Sequence, residues 1–213
     1  MDRQIPDATV SRLPVYLRVL SDVAAESAGH GPTISSEELA ARSGVNAAKV
    51  RKDLSYLGTY GTRGVGYDIE LLMFQMNRQL GLTGDRAVII AGAGNLGQAL
   101  SNYGGFSDRG FRVVAMVDSD PSKLADDSAI PVFGPSSVEG LVAEHPGCIV
   151  VVAVPGPSAQ EVVDRFVRAG VRSFLNFAPG VVAVPEGVSL RSVDLGLELQ
   201  VLSFYLERNM ATT

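Results

Sequence analysis

Cysteine is almost absent. Cys148 is the only one in 213 residues, so no disulfide can close within the chain and no thiol pair can serve as an internal redox switch. There is no Cys-x-x-Cys and no Cys/His cluster, which argues against a structural zinc site. Cys148 opens the run Cys148-Ile149-Val150-Val151-Val152-Ala153-Val154, where a thiol reads as core. The two histidines are His30, among Gly29, Gly31 and Pro32, and His145, before Pro146-Gly147. Both read as loop residues rather than as general acids or bases. Lysine is scarce as well, with only Lys49, Lys52 and Lys123. No apolar run reaches the roughly 20 residues of a membrane span. The stretch Met1-Asp2-Arg3-Gln4-Ile5-Pro6 lacks the apolar core of a signal peptide. A cytoplasmic location without membrane contact is expected, and no segment is biased enough to suggest disorder.

What is present is unevenly spread. The net charge of −5 hides an asymmetry: residues 1–80 carry nine basic and nine acidic side chains, and residues 81–213 carry nine and fourteen. Within 42–63 stand five bases, Arg42, Lys49, Arg51, Lys52 and Arg63, against one acid, Asp53. An acidic chain with a local basic face remains compatible with nucleic acid.

The periodicity before this window predicts an amphipathic helix over 11–28, with Ser11 as N-cap, Pro14 in the first turn and Leu13, Leu17, Leu20 and Ala24 on one stripe. Ser35-x-x-Glu38 is a capping box opening a short helix that stops at Ser43-Gly44. Asn46 then caps a second helix, with Val45 and Val50 placed as a hydrophobic staple. Val50, Leu54 and Leu57 form its inward stripe, leaving Lys49, Arg51, Lys52, Ser55 and Tyr56 to face outward. Helix, short glycine turn, cation-bearing helix is the helix-turn-helix pattern. Tyr60 to Tyr67 alternates turn and β-favouring residues, as a wing hairpin would, and Arg63 between glycines is suited to a narrow minor groove. A DNA-binding lobe using Asn46, Lys49, Arg51, Lys52, Tyr56 and Arg63 is therefore expected. Ile69 to Leu80 reads as a helix closed by Gly81.

A different pattern follows. Ala87 to Ala91 is an apolar run too short for a helix, and it leads into Gly92-Ala93-Gly94-Asn95-Leu96-Gly97, a Gly-x-Gly-x-x-Gly loop with a helical pattern behind it. In a dinucleotide site Gly92 makes the tight turn, Gly94 lets backbone approach a pyrophosphate and Gly97 allows helix and strand to pack closely. The helix N-terminus supplies N–H groups and a positive dipole end. A second strand, Phe111 to Val117, ends at Asp118, where an acid binds ribose hydroxyls and favours NAD(H) over its 2′-phosphorylated form. Apolar strands at 148–154 and 173–177 alternate with helices, and Ile130 to Phe133 suits a short edge strand. The expected class is α/β: a winged helix-turn-helix lobe plus a Rossmann-type doubly wound parallel sheet. Ligand belongs at the carboxyl ends of the strands, on Gly92 to Gly97, Asp118, Val154, Pro155, Asn176 and Phe177. Asp194 to Arg208 is helical by length and apolar around most of its circumference, which calls for burial on more than one side, either in this chain's core or in a partner subunit. The second is expected, because a helix-turn-helix protein usually needs a dimer to match two half-sites. The expected divisions are 1–82, 83–190 and 191–213.

Val50-Arg51-Lys52-Asp53-Leu54-Ser55-Tyr56, the wing Thr62-Arg63-Gly64-Val65-Gly66-Tyr67 and Gly92 to Leu100 together resemble the bacterial redox-sensing repressor family Rex. The resemblance spans nearly the whole chain. It implies a homodimer with swapped C-terminal helices, which binds operators of respiratory and NADH-reoxidising genes and releases them when NADH binds, with NAD competing. It also implies switch roles for Arg12, Tyr103 and Asp194. The residues themselves agree in outline: with neither a thiol pair nor a metal cluster, redox information must enter through a bound nucleotide. The alternatives are a small NAD-dependent dehydrogenase, for which no catalytic acid or base stands out, and a regulator sensing another adenine nucleotide such as CoA or FAD.

Overall fold

The computed structural model describes residues 5–27, 33–58, 61–62, 64–124 and 129–210. Two units divide the chain, Met1–Gly84 and Asp85–Thr213.

The first unit begins with two helices, α1 (Asp7–Val10) and α2 (Leu13–Glu26). The single helix expected from Ser11 is thus corrected. Ser11 ends α1, donating its hydroxyl to the Asp7 carbonyl at 2.9 Å, and Arg12 precedes α2. Pro14 explains the break, because it has no N–H to give the Val10 carbonyl and is tolerated only in a first turn. Next come β1 (Thr33–Ile34), α3 (Ser36–Ser43) and α4 (Ala47–Tyr56). Ser35 caps α3 by accepting the Glu38 N–H at 3.0 Å, and the Glu38 carboxylate turns to Arg42 at 3.3 Å. Asn46 caps α4 through the Lys49 N–H at 2.8 Å. β2 (Tyr67–Asp68) pairs antiparallel with β1, and a tight Thr62–Gly66 bridge precedes it. Asp68 caps α5 (Ile69–Gln79). Tyr16, Leu20, Leu39, Val50, Leu54, Ile69, Leu72 and Met76 are fully buried and form one core.

The second unit is a six-stranded parallel sheet. Its strands are β3 (Arg86–Ala91), β4 (Phe111–Val117), β5 (Val132–Phe133), β6 (Ile149–Val152), β7 (Ser173–Asn176) and β8 (Ser189–Ser192), in the order β5-β4-β3-β6-β7-β8. That is the Rossmann order, with the strand direction of progression reversing at β3. The helices are α6 (Asn95–Ser101), α7 (Gly104–Ser107), α8 (Val138–Glu144), α9 (Gly156–Arg168) and α10 (Leu195–Met210). Ile89, Ala91, Val150 and Val152 face one core, while Val88, Ile90 and Val151 face another. Burial on both faces is why these strands read as continuous apolar runs. Cys148 is 3% exposed, a core thiol. β8 is polar, Ser-Leu-Arg-Ser, and was not expected. α9 starts at Gly156, with Pro157 in its first turn. None of the α10 residues is buried, and Leu199, Leu202, Phe204 and Leu206 are all more than half exposed. Among the described residues no helix is long and apolar enough to cross a membrane. His30 lies outside the described residues.

Candidate nucleotide cleft and DNA-facing helix

At the carboxyl ends of β3, β4 and β6 lies a cleft of about 680 Å³, reached by Gly92, Gly94, Asn95, Leu96, Asp118, Val154, Pro155 and Phe177. The glycine loop is built for close approach. Gly92 has φ +107°, and a Cβ there would stand 2.5 Å from the Ala153 carbonyl oxygen. A Cβ on Gly97 would run into the Gly92 carbonyl, so that residue lets α6 sit against the loop. Gly94 differs, because a Cβ there would meet nothing of the protein within 4 Å. Packing does not require that glycine. The space its side chain would fill is the cleft itself, as a pyrophosphate cradle demands. Ala93 and Gly97 are buried beneath the loop rather than on the cleft wall.

Asp118 ties the loop to β4. Its Oδ2 accepts the Ala93 N–H at 2.7 Å and the Lys123 ammonium at 3.1 Å, and its Oδ1 accepts the Asp120 N–H at 2.9 Å. Burial works against the charged form, but the N–H groups of Asp120 and Ala93 and the charge of Lys123 outweigh it and hold the carboxyl below its usual range. Asn176 is not on the cleft. It is fully buried, and its amide both accepts the Ala178 N–H and donates to the Ala178 carbonyl at 3.0 Å. The turn it makes presents Phe177 and Pro179 to the cleft. Sequence reasoning missed the wall formed by α9 through Ser158, Glu161 and Arg165. The signal was available, since α9 leaves the carboxyl end of β6, where ligands of such sheets bind. It also passed over Lys123, three residues beyond the Asp120 that caps its turn.

In the first unit Lys49 and Lys52 are exposed on α4, and Tyr56 is half-buried at its end. Asn46 is exposed, with its side chain occupied in capping. Arg51 lies against α3, donating to Glu37 and to Ser36 Oγ, both at 2.9 Å. Arg63 lies outside the described residues. Asp53, the lone acid of the basic window, is buried. Its oxygens accept Arg12 Nε at 2.7 Å, Arg12 Nη2 at 2.8 Å, the Tyr16 phenol at 2.8 Å and Thr9 Oγ1 at 2.8 Å. Burial disfavours the charged carboxylate, yet the bonds from Arg12, Tyr16 and Thr9 hold its pKa below the usual value. Burial first, and then the neighbouring carboxylate, push the Tyr16 phenol up to about 12.

Of the three residues expected to form a switch, Arg12 lies in the first unit and Tyr103 and Asp194 in the second. Arg12 belongs to the Asp53 cluster. Tyr103 is 55% exposed, edge-on to Phe106 at 5.3 Å, and lines a second, apolar concavity of about 510 Å³ where β4, β6, β7 and β8 begin. Asp194 caps α10, accepting the Gly196 and Leu197 N–H groups at 2.9 and 3.2 Å. Among the described residues no group of three or more His, Cys, Asp or Glu side chains could hold a metal ion.

An N-terminal DNA-binding domain joined to a Rossmann-like domain places the chain among transcription regulators rather than enzymes. The family models agree: "Putative DNA-binding protein N-terminus" matches residues 4–55 and "CoA binding domain" matches 83–180. The redox-sensing transcriptional repressor Rex of Streptomyces coelicolor is 56% identical over 207 residues, 97% of this chain and 79% of that one. Rex of Pelotomaculum thermopropionicum is 44% identical over 204 residues, 95% and 94% of the two chains. Among solved structures, the Rex-family repressor RSP in complex with β-NAD+ and operator DNA is 33% identical with a TM-score of 0.88, over 99% of this chain and 96% of that one. RSP in complex with β-NADH gives a TM-score of 0.83 at 33% identity, over 99% and 98%. The chain belongs to the Rex family of redox-sensing transcriptional repressors. These relatives are named as repressors, so the dehydrogenase alternative is set aside.

Proposed function

We propose that this chain is a cytoplasmic repressor that reads the NADH/NAD+ poise, holding operator DNA when NADH is low and releasing it when NADH binds. The observation that carries the reading is Gly94, a glycine that nothing in the protein requires, opening onto a cleft bounded by Asp118. That arrangement fits a dinucleotide: backbone at Gly94 and the first turn of α6 for the pyrophosphate, and an ionised Asp118 for the adenosine ribose. Val154 and Phe177 offer apolar surface at the far side of the loop. A neutral reduced nicotinamide is favoured there over the oxidised cation, which is costly to desolvate. A ligand that prefers one of two states shifts the protein towards it by that difference in affinity alone.

The head contacts DNA through the outward face of α4, with Lys49, Lys52 and Tyr56, and through the wing that carries Arg63. A second copy of the chain completes the molecule. α10 presents apolar side chains on every side, and a helix of that kind is stable in water only when covered. Two heads then match two half-sites. Coenzyme A is the competing ligand, because the matching model for 83–180 bears that description. Titration of the protein with NADH, NADPH and coenzyme A, followed by nicotinamide fluorescence and calorimetry, tests the reading. NADH binding tightest supports it, and coenzyme A binding tightest overturns it. Lys49→Ala weakens DNA binding by about 1–3 kcal/mol if that side chain reads a base edge.

A further inference from the structure

The DNA-facing side of α4 is set by its inward side. Val50, Leu54 and Leu57 are buried in the core of the first unit, and Asp53 stands between them. Apolar contact is non-directional, so three aliphatic side chains leave the helix room to rotate about its axis or slide by a fraction of a turn. Hydrogen bonds are directional. Asp53 receives four of them from three separate positions: Thr9 in α1, Arg12 at the α1–α2 junction and Tyr16 in α2. Both carboxylate oxygens are fully used, and the Arg12 fork is bidentate, which adds geometric definition to charge. The Asp53 side chain is 2% exposed and that of Arg12 is 25% exposed.

We infer that Asp53 is a positioning residue for DNA recognition: the Thr9–Arg12–Tyr16 cluster fixes the rotation and axial register of α4, and so the direction in which Lys49, Lys52 and Tyr56 point. Stability alone does not call for a charge here, since an apolar residue of similar volume serves a core as well or better. A fully satisfied buried polar cluster instead selects one arrangement among several of similar packing energy. The inference rests on the DNA-binding reading of α4. It predicts a separation of effects. Sequence-specific binding needs the register, whereas binding to phosphates needs only the charges, which lie outside the cluster.

The test uses the full chain and two duplexes: one enriched from a random-sequence pool by the wild-type protein, and a scrambled duplex of the same composition. Thr9→Val and Tyr16→Phe each delete one directional bond without stranding a charge. Asp53→Asn removes the charge at nearly constant shape. Binding is measured well below each variant's melting temperature. Asp53→Asn lowers affinity for the enriched duplex about tenfold or more, and the two milder variants about threefold, with the scrambled duplex and NADH bound as by wild type. Should Asp53→Asn not fold, Thr9→Val and Tyr16→Phe decide the matter. Variants that melt at lower temperature yet keep the wild-type ratio of enriched to scrambled binding overturn the inference, leaving the cluster as a fastening of the head. Failure of the wild-type protein to enrich any duplex overturns the DNA-binding reading itself, and the inference with it.

Discussion

Two carboxylates, Asp53 in the first unit and Asp118 in the second, are both held ionised against burial, in opposite ways. Asp53 is enclosed by side chains, one of them a counter-ion, and every acceptor position is taken from within its own unit. Asp118 is 10% exposed at the lip of a cleft, and two of its three partners are backbone N–H groups, one from the glycine loop at Ala93 and one from its own turn at Asp120. Its remaining partner, Lys123, is 37% exposed and can be displaced. The first is a closed device that holds a shape. The second is an open one, with acceptor capacity to offer a ligand. The enclosed carboxylate lies under α4, and the open one beside the glycine loop.

The contrast can be broken at either end. Asp53→Leu leaves the Arg12 guanidinium without its partner and costs about 3–5 kcal/mol of stability in the first unit, read by urea unfolding. Arg12→Met combined with Asp53→Leu recovers most of that loss, because the double variant strands no charge. Asp118→Ala acts on function instead. It weakens NADH binding by roughly 1.5–3 kcal/mol, the worth of hydrogen bonds to a charged group, and leaves nucleotide-free DNA binding as in wild type.

Acid and alkali sharpen the difference. The Asp53 pKa lies below its ordinary 3.8 in the fold, so the stability it confers is fully present above that pH and is lost as pH falls through the folded value. The Tyr16 phenol is raised from 10 to about 12, so its contribution holds below pH 10 and falls away as pH rises towards 12. Unfolding free energies measured across both limbs follow this course, and Tyr16→Phe flattens the alkaline one. The smallest effect is that of Lys123→Met. It raises the Asp118 pKa, visible in an NMR titration of the side-chain carboxyl, and changes stability by less than about 1 kcal/mol because the pair is partly solvated.

Asp118 was legible in the sequence because its role is tied to a motif: a strand, a glycine loop and an acid at the end of the next strand. The parallel sheet was legible for a similar reason, since strands buried on both faces leave unbroken apolar runs. Asp53 was not. An acid among Arg51, Lys52 and Lys49 reads as one more surface charge, and its partners lie 37 to 44 residues away in the chain. The α1–α2 break hid behind Ser11, which is as plausible a first residue as a last one, and the missing Pro14 N–H was the sign of it. β8 is an edge strand of serines and an arginine, with no apolar alternation to mark it. Asn176 was placed on the cleft by its position at a strand end. What position alone does not reveal is that a buried asparagine closes on its own turn, here at Ala178. The apolar circumference of α10 was plain from sequence, and its exposure is the structural counterpart of that pattern.

The proposed function has the cleft beside Asp118 govern the hold of the head on DNA. It is tested most directly by titrating NADH into the protein bound to its enriched duplex, with and without an excess of NAD+, and following the duplex by fluorescence anisotropy. Release by NADH is expected, with a midpoint that moves to higher NADH when NAD+ is present and with no release by NADH from the Asp118→Ala variant at the concentration that frees the wild type. DNA binding indifferent to the NADH/NAD+ ratio would contradict it.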